Sequence, residues 1–211
     1  MKNYIFLFLI ISIAHLCSCI KAEKPEYILK GDVLTDLRDN QQYKVINIGG
    51  KVWMAENYNY NVSGSRYYND MSSKTFGRLY DWNQINSVGF APKGWRVPNL
   101  QDFNDLINNQ GGDINLAGGK LKTIGTSVWV TPNTGATNSS SFNGLPGGCY
   151  VNNSNGVTGY NYQGYVGIWW ILQERISSFS YSFRLYYNNS KAELNPDGWK
   201  QDFYSVRLIK D

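Results

Sequence analysis

The chain has 211 residues, of which 17% are charged and 15% aromatic, with a formal net charge of +4, three cysteines and one histidine. Setting aside an amino-terminal leader and tether leaves about 180 residues, enough for one domain that buries roughly 70% of its unfolded surface without covalent staples. The small basic excess is scattered along the chain, which gives nucleic-acid binding no support.

The amino terminus sets the expected compartment. Lys2 precedes an apolar run from Tyr4 to Ile13, too short to span a bilayer comfortably and shaped like a signal-peptide core. Leu16-Cys17-Ser18-Cys19 then has the pattern of a lipoprotein signal-peptidase site, with small Ser18 just before Cys19 and Leu16 three residues before it. The expected division is a lipoprotein signal peptide over residues 1–18, a tether over 19–31 lipidated on Cys19, and one domain over 32–211; the alternative is an uncleaved membrane anchor. Each buried methylene of an acyl chain contributes about 0.8 kcal/mol, so two or more chains anchor stably. Losing the leader removes Lys2, which takes the 20 basic residues to 19 against 16 acidic ones, together with Cys17 and the only histidine, His15. Serine–histidine, cysteine–histidine and histidine-zinc chemistry all need that imidazole, so no catalytic residue and no metal ligand set is expected. With Cys19 acylated, Cys149 is the one free thiol, so no intrachain disulfide can form.

Along the remaining chain, Gln42–Ile48 alternates, Gly49-Gly50 turns and Lys51–Met54 returns, which predicts a hairpin. Leu79–Ile85 reads as a helix. Pro98 biases Val97 towards an extended conformation, so Gly94–Pro98 should lead in as strand, with Asn99 capping a helix whose stripe is Leu100, Phe103, Leu106 and Ile107. Gly111-Gly112 ends it, and Leu116–Leu121 reads as a third helix. Later strands are predicted at Val128–Val130, Gly148–Val151, Gly164–Leu172, Phe179–Tyr187 and Phe203–Ile209. Between them lie long Asn-, Ser- and Gly-rich stretches, Thr131–Asn143 and Asn152–Gln163.

Two blocks, Gly77-Arg78-Leu79-Tyr80-Asp81-Trp82 and Ala91-Pro92-Lys93-Gly94-Trp95-Arg96-Val97-Pro98, carry a family resemblance. With Val52–Asn57, Ala117–Lys122, Pro132–Asn138, Leu145–Gly148, Trp169-Trp170 and Ser205–Arg207 in order, the stretch from Asp32 to Asp211 resembles the Fibrobacter succinogenes major paralogous domain family of bacterial surface lipoproteins. The resemblance implies a cell-envelope protein held to a membrane, the outer membrane of a Gram-negative bacterium. It also implies, through a distant similarity to formylglycine-generating enzymes, a C-type-lectin-like α+β fold with antiparallel sheets, two or three short helices and long Asn/Gly-rich loops. Family members often carry cysteines where this chain has Ala91 and Leu208, so the resemblance implies a bridge that is missing here.

Aromatic rings crowd the carboxyl-terminal half, where they could stack on sugars. Alternation assigns Tyr181, Phe183 and Leu185 to the core, together with one of Trp169 and Trp170. Tyr160, Tyr162 and Trp199 fall in Gly- and Asn-rich stretches and are the expected exposed, ligand-binding rings. Asn195-Pro196-Asp197 and Thr131–Asn138 offer oxygens for calcium but read better as turns, so no cofactor is expected and calcium stays an open alternative. Asp102 and Asp105 read as solvated surface carboxylates rather than a glycosidase pair, and Cys149 as a buried, inert thiol. The expected function is a non-catalytic binding or adhesion module, for carbohydrate first. The alternative is a structural envelope protein that recognises other proteins or self-associates.

Overall fold

A computed structural model describes residues 24–70, 75–154 and 156–211. The expected signal peptide, Cys17 and Cys19 lie outside the described residues.

The strands are β1 (Tyr27–Lys30), β2 (Val33–Asp36), β3 (Gln41–Ile48), β4 (Lys51–Met54), β5 (Trp95–Arg96), β6 (Cys149–Ser154), β7 (Val157–Asn161), β8 (Val166–Glu174), β9 (Phe179–Tyr186), β10 (Ala192–Trp199) and β11 (Ile209–Lys210). The helices are α1 (Trp82–Ile85), α2 (Leu100–Asn109) and α3 (Ile114–Leu121). They build a six-stranded sheet in the order β1-β2-β3-β4-β11-β5, a three-stranded sheet β10-β9-β8 and a hairpin β6-β7. The named strands pair antiparallel throughout. The large sheet curls, because its two edge strands approach each other. Tyr27 packs edge-on against Trp95 at 6.1 Å, and the backbone N–H of Lys93 donates to the Glu26 carboxylate at 2.8 Å. The sheet thus reaches into the stretch read as tether, with Tyr27–Lys30 paired to β2.

Strand alternation distributes the large side chains between two cores. One fills the curled sheet and takes Met54, Tyr80, Trp95 and Trp170; the other lies beneath α2 and α3 and takes Trp53, Phe103, Phe142, Trp169 and Phe183. Both tryptophans of the Trp169-Trp170 pair are therefore fully buried. The expectation of one in and one out fails because β8 is covered on both faces there. Tyr181 is only partly buried, whereas Phe183 and Leu185 are fully so.

The hairpin of β3 and β4 forms as its alternation predicts. The first predicted helix is shorter than expected: Leu79 and Tyr80 bridge Arg66 and Tyr204 instead. Asp81 caps α1, its side chain accepting from the N–H of Gln84 while the Gln84 side chain accepts from the N–H of Asp81. The Asn99 side chain likewise accepts from the N–H of Asp102 at 3.0 Å, and the Asp102 carboxylate from that of Asn99 at 2.8 Å. The stripe of α2 packs against β8 and β10. In α3, Gly118 and Gly119 allow close approach, since an added Cβ would lie 2.3 Å from the Lys191 and Gly135 carbonyl oxygens respectively.

Three further predictions fail. Val128–Val130 is not a strand, though Trp129 is buried and donates through Nε1 to the Gly144 carbonyl. Asn195-Pro196-Asp197 is not a turn between elements but a bulge in β10. Proline cannot donate to a ladder and is tolerated because β10 is an edge. Asp102 is not solvated: it is 2% exposed, and Lys51 and Arg96 both pair with it, at 2.8 and 2.6 Å. Asp105 stays partly exposed, joined to the same Lys51 at 2.8 Å.

Residues 202–209 are buried without a break. Tyr58 and Met54 donate their N–H groups to Val206 and Leu208, Tyr204 bridges Tyr80, and Ser205 donates to Ile168 and accepts from Trp170. This segment is the predicted last strand, but its partners change so often that only Ile209–Lys210 forms a ladder.

Candidate functional site

The blocks that carry the family resemblance meet inside the domain. Asn57 Oδ1 accepts from Trp169 Nε1 at 2.8 Å and from Arg207 Nε at 3.1 Å, and Asn57 Nδ2 donates to the Phe76 carbonyl at 2.9 Å. The remaining nitrogens of Arg207 donate to the carbonyls of Phe142 and Asn143. Arg207 is 1% exposed and lies over the rings of Phe142 and Trp169. A polar centre closed in this way holds five segments together and offers nothing to a ligand.

The open chemistry lies elsewhere, where the β6-β7 hairpin meets the three-stranded sheet. A cavity of about 460 Å³ there is lined by Tyr162, Ile168, Arg184, Trp199, Asp202 and Tyr204, with Cys149 and Asp197 among its other walls. A second cavity of about 310 Å³ is lined by Tyr162, Val166, Ile168, Arg184 and Tyr186. The two adjoin across Tyr162, Ile168 and Arg184. Alternation explains the placement of the arginine: Phe183 and Leu185 turn into the core, so Arg184 turns to the opposite face of β9.

Arg184 Nε donates to Ser182 Oγ at 3.1 Å. Among the described residues no carboxylate forms an ion pair with its guanidinium. Asp202 is 6% exposed. Its carboxylate accepts from the N–H of Asn152 at 2.9 Å and from the Tyr204 hydroxyl at 3.1 Å. Burial pushes the Asp202 carboxyl up, against the opposing pull of those two bonds and of Arg184. Asp197, on the rim, is paired with Arg175. Burial raises the Cys149 thiol to about 12, so it is not poised as a nucleophile.

Tyr162 stands apart from the other rings. It is 58% exposed and has φ 67°, in the left-handed region where a bulky side chain is strained. Its carbonyl accepts from the N–H groups of Tyr165 and Val166, both at 3.0 Å, which fixes the turn after β7. Trp199, at the end of β10, packs on Phe179 at 4.9 Å, and its buried Nε1 has no partner among the described residues. Of the three rings singled out from the sequence, Tyr162 and Trp199 thus line one cavity and Tyr160 does not. Tyr160 packs between Tyr150 and Tyr68, at 4.9 and 5.2 Å.

Arg184 and Asp202 were not singled out in the sequence. The alternation through Tyr181–Tyr187 does put Arg184 opposite the core residues, but a charge there reads as solvated. Asp202 carries no local signal, because its burial comes from Asn152, which is distant in the chain.

The calcium alternatives find their oxygens in use. Asn195 Oδ1 accepts from the N–H of Asp197 at 2.9 Å, and Asn138 Oδ1 from that of Asn143 at 2.8 Å. Among the described residues, no group of three or more His, Cys, Asp or Glu is arranged to hold a metal ion. A further cavity of about 420 Å³ near β3 is lined by polar residues including Gln41, Glu56 and Asn59. There Asn59 Nδ2 donates to Gln41 Oε1 at 2.7 Å, and the site has no exposed aromatic face.

No helix among the described residues is long and apolar enough to cross a membrane. The family model of the Fibrobacter succinogenes major domain matches residues 46–210. No curated protein and no solved structure matches the chain.

Proposed function

The chain belongs to the Fibrobacter succinogenes major domain family, and from that membership and the geometry of the groove we propose a non-catalytic binding module of the cell envelope, with carbohydrate as its ligand. The observation that carries this reading is Tyr162, an exposed ring in a strained backbone conformation on the shared wall of two cavities. Strain of this kind costs about 1–3 kcal/mol and persists where the surroundings impose it, often where a side chain must be presented to a ligand. An aromatic face suits the apolar face of a sugar ring, while the Arg184 guanidinium offers donors for hydroxyls.

The proposal includes a lipid on Cys19 as the anchor, an outer-membrane location, and a distant kinship of the antiparallel sheets and short helices with the C-type-lectin-like fold. Its partners are a membrane, through the lipid, and a glycan. Calcium is not required by the groove as drawn. The second reading, an envelope protein that self-associates or binds other proteins, draws on edge strand β1, where Ile28 and Leu29 are 50% and 36% exposed.

The test is a glycan array probed with the purified full-length chain, with and without calcium. Binding that disappears in Tyr162→Gly and in Trp199→Ala supports the groove. Silence on every glycan, together with a concentration-dependent dimer that I28K disperses, would move the conclusion to self-association. Cys19→Ala should abolish incorporation of labelled palmitate. Protease shaving of intact cells reports whether the domain faces outward.

A further inference from the structure

The two cavities differ in wall chemistry although they adjoin. The smaller one is walled by Tyr162, Val166, Ile168 and Tyr186, with Arg184 as its one charged residue. The larger one adds Asp202 and Trp199 to the shared residues. At about 310 and 460 Å³, each falls within the range of roughly 300–1,000 Å³ usual for small-ligand pockets. A single compact ligand would therefore fill one and leave the other to water.

Among the residues that line the groove the charges balance, while Glu193, opposite Arg184 in the register of β9 and β10, reaches the Tyr186 hydroxyl. Arg184 and Asp202 both line the larger cavity, and Asp197 on its rim is already paired with Arg175. A net anion would meet the buried Asp202, and a net cation the guanidinium of Arg184, so neither gains as a neutral ligand does. Arg184 itself is fixed in direction, because Ser182 holds its Nε. Its guanidinium, which also meets the Tyr186 hydroxyl, lies on the wall common to both cavities with donors to spare.

Resting on the carbohydrate reading above, we propose that the ligand is a neutral oligosaccharide that engages the groove with at least two adjacent sugar units, one in each cavity, and that Arg184 donates to both at their junction. Tyr162 then stacks at the same junction. The terminal reducing unit alone is not the recognised element; the linkage between units is.

Isothermal titration of the full-length chain against cello-, manno- and xylo-oligosaccharide ladders of one to six units tests this, with oligogalacturonides of equal length as the charged counterpart. The expected result is a gain of at least ~10-fold in affinity from one unit to three, a plateau soon after, and little dependence on salt. Arg184→Ala should bring the three-unit to one-unit ratio close to one, and Arg184→Lys, which keeps the charge but loses the fork, should recover only part of it. Tyr162→Gly, whose backbone suits glycine, supplies a variant that folds even if the arginine variants do not; thermal melts monitor folding in each. A monosaccharide that binds as tightly as its trisaccharide overturns the two-unit proposal and leaves the carbohydrate reading standing. Tightest binding by oligogalacturonides, abolished by salt, overturns the neutral ligand. No binding by any ladder, with the array also silent, removes the carbohydrate reading itself.

Discussion

Arg207 and Arg184 both lie among aromatic rings, and they differ in where their N–H groups end. Arg207 is closed in by Asn57 and by the carbonyls of Phe142 and Asn143, with Phe142 and Trp169 against its plane. Arg184 has one nitrogen fixed by Ser182 and the rest of its fork on a cavity wall. The first arrangement ties together segments far apart in sequence and is complete without a partner. The second is held in direction by Ser182 and faces open space, which is what the proposed binding group requires. The same side chain thus serves architecture in one place and, on the proposed reading, presentation in the other, and the difference lies in the neighbours that each strand brings to it.

Substitutions can break that contrast, beginning with the strongest. Arg207→Met leaves the Phe142 and Asn143 carbonyls without their donors in the interior, and should cost about 3 kcal/mol, lowering the melting temperature by about 6–12 °C for a domain of this size. Should the variant melt like the parent, the closed network is not what holds these segments.

Asp102→Asn comes next. Burial alone would push the Asp102 carboxyl up, but the hydrogen bonds from Arg96, Lys51 and the Asn99 backbone outweigh it and hold it at about 2. Its pKa is therefore lower in the folded chain than in the unfolded one, so its contribution is present above about pH 4 and is lost as pH falls towards 2. The variant should lose about 2 kcal/mol near neutral pH and show a flatter acid limb in melts taken from pH 5 to 2. An acid limb identical to the parent's would refute the assignment.

Asp81→Ala removes one side of the capping box on α1 and should cost about 1 kcal/mol in urea unfolding. Tyr162→Gly has the smallest effect on stability, within about 0.5 kcal/mol, because relief of the left-handed strain offsets the extra freedom of glycine in the unfolded chain. Its large effect should appear in ligand binding alone. A clear destabilisation by Tyr162→Gly would mean that the ring is packing, and would remove the contrast with Arg207.

The sequence was most legible where structure is local. The β3-β4 hairpin, the Asn99 cap and the stripe of α2 follow from residues within a few positions of one another, and the structure has them as read. The blocks of family resemblance lead into the interior, to Asn57, Trp169 and Arg207, rather than to a site. Their order in the chain said which fold to expect but not that they touch. Strands β7 and β10 were hidden by Asn, Gly and Pro, residues that normally punctuate; β7 pairs with β6, and β10 is an edge with a bulge. Asp102 was misread because a carboxylate beside an apolar stripe looks exposed until Arg96 and Lys51 arrive from other strands. The groove was legible in part. Tyr162 lies in the turn that loop composition suggested, Trp199 was read as an exposed loop ring but is a half-buried residue of β10, and Asp202 becomes distinctive only when β6 is folded over it.

The buried segment over residues 202–209 bears on timing. Its bonds reach back to Met54, Tyr58, Tyr80, Ile168 and Trp170, so neither core is finished until residues 202–209 are in place. Contacts this distant in sequence make folding slow and late. Both cores therefore wait on the same eight residues, which ties the completion of one to the completion of the other.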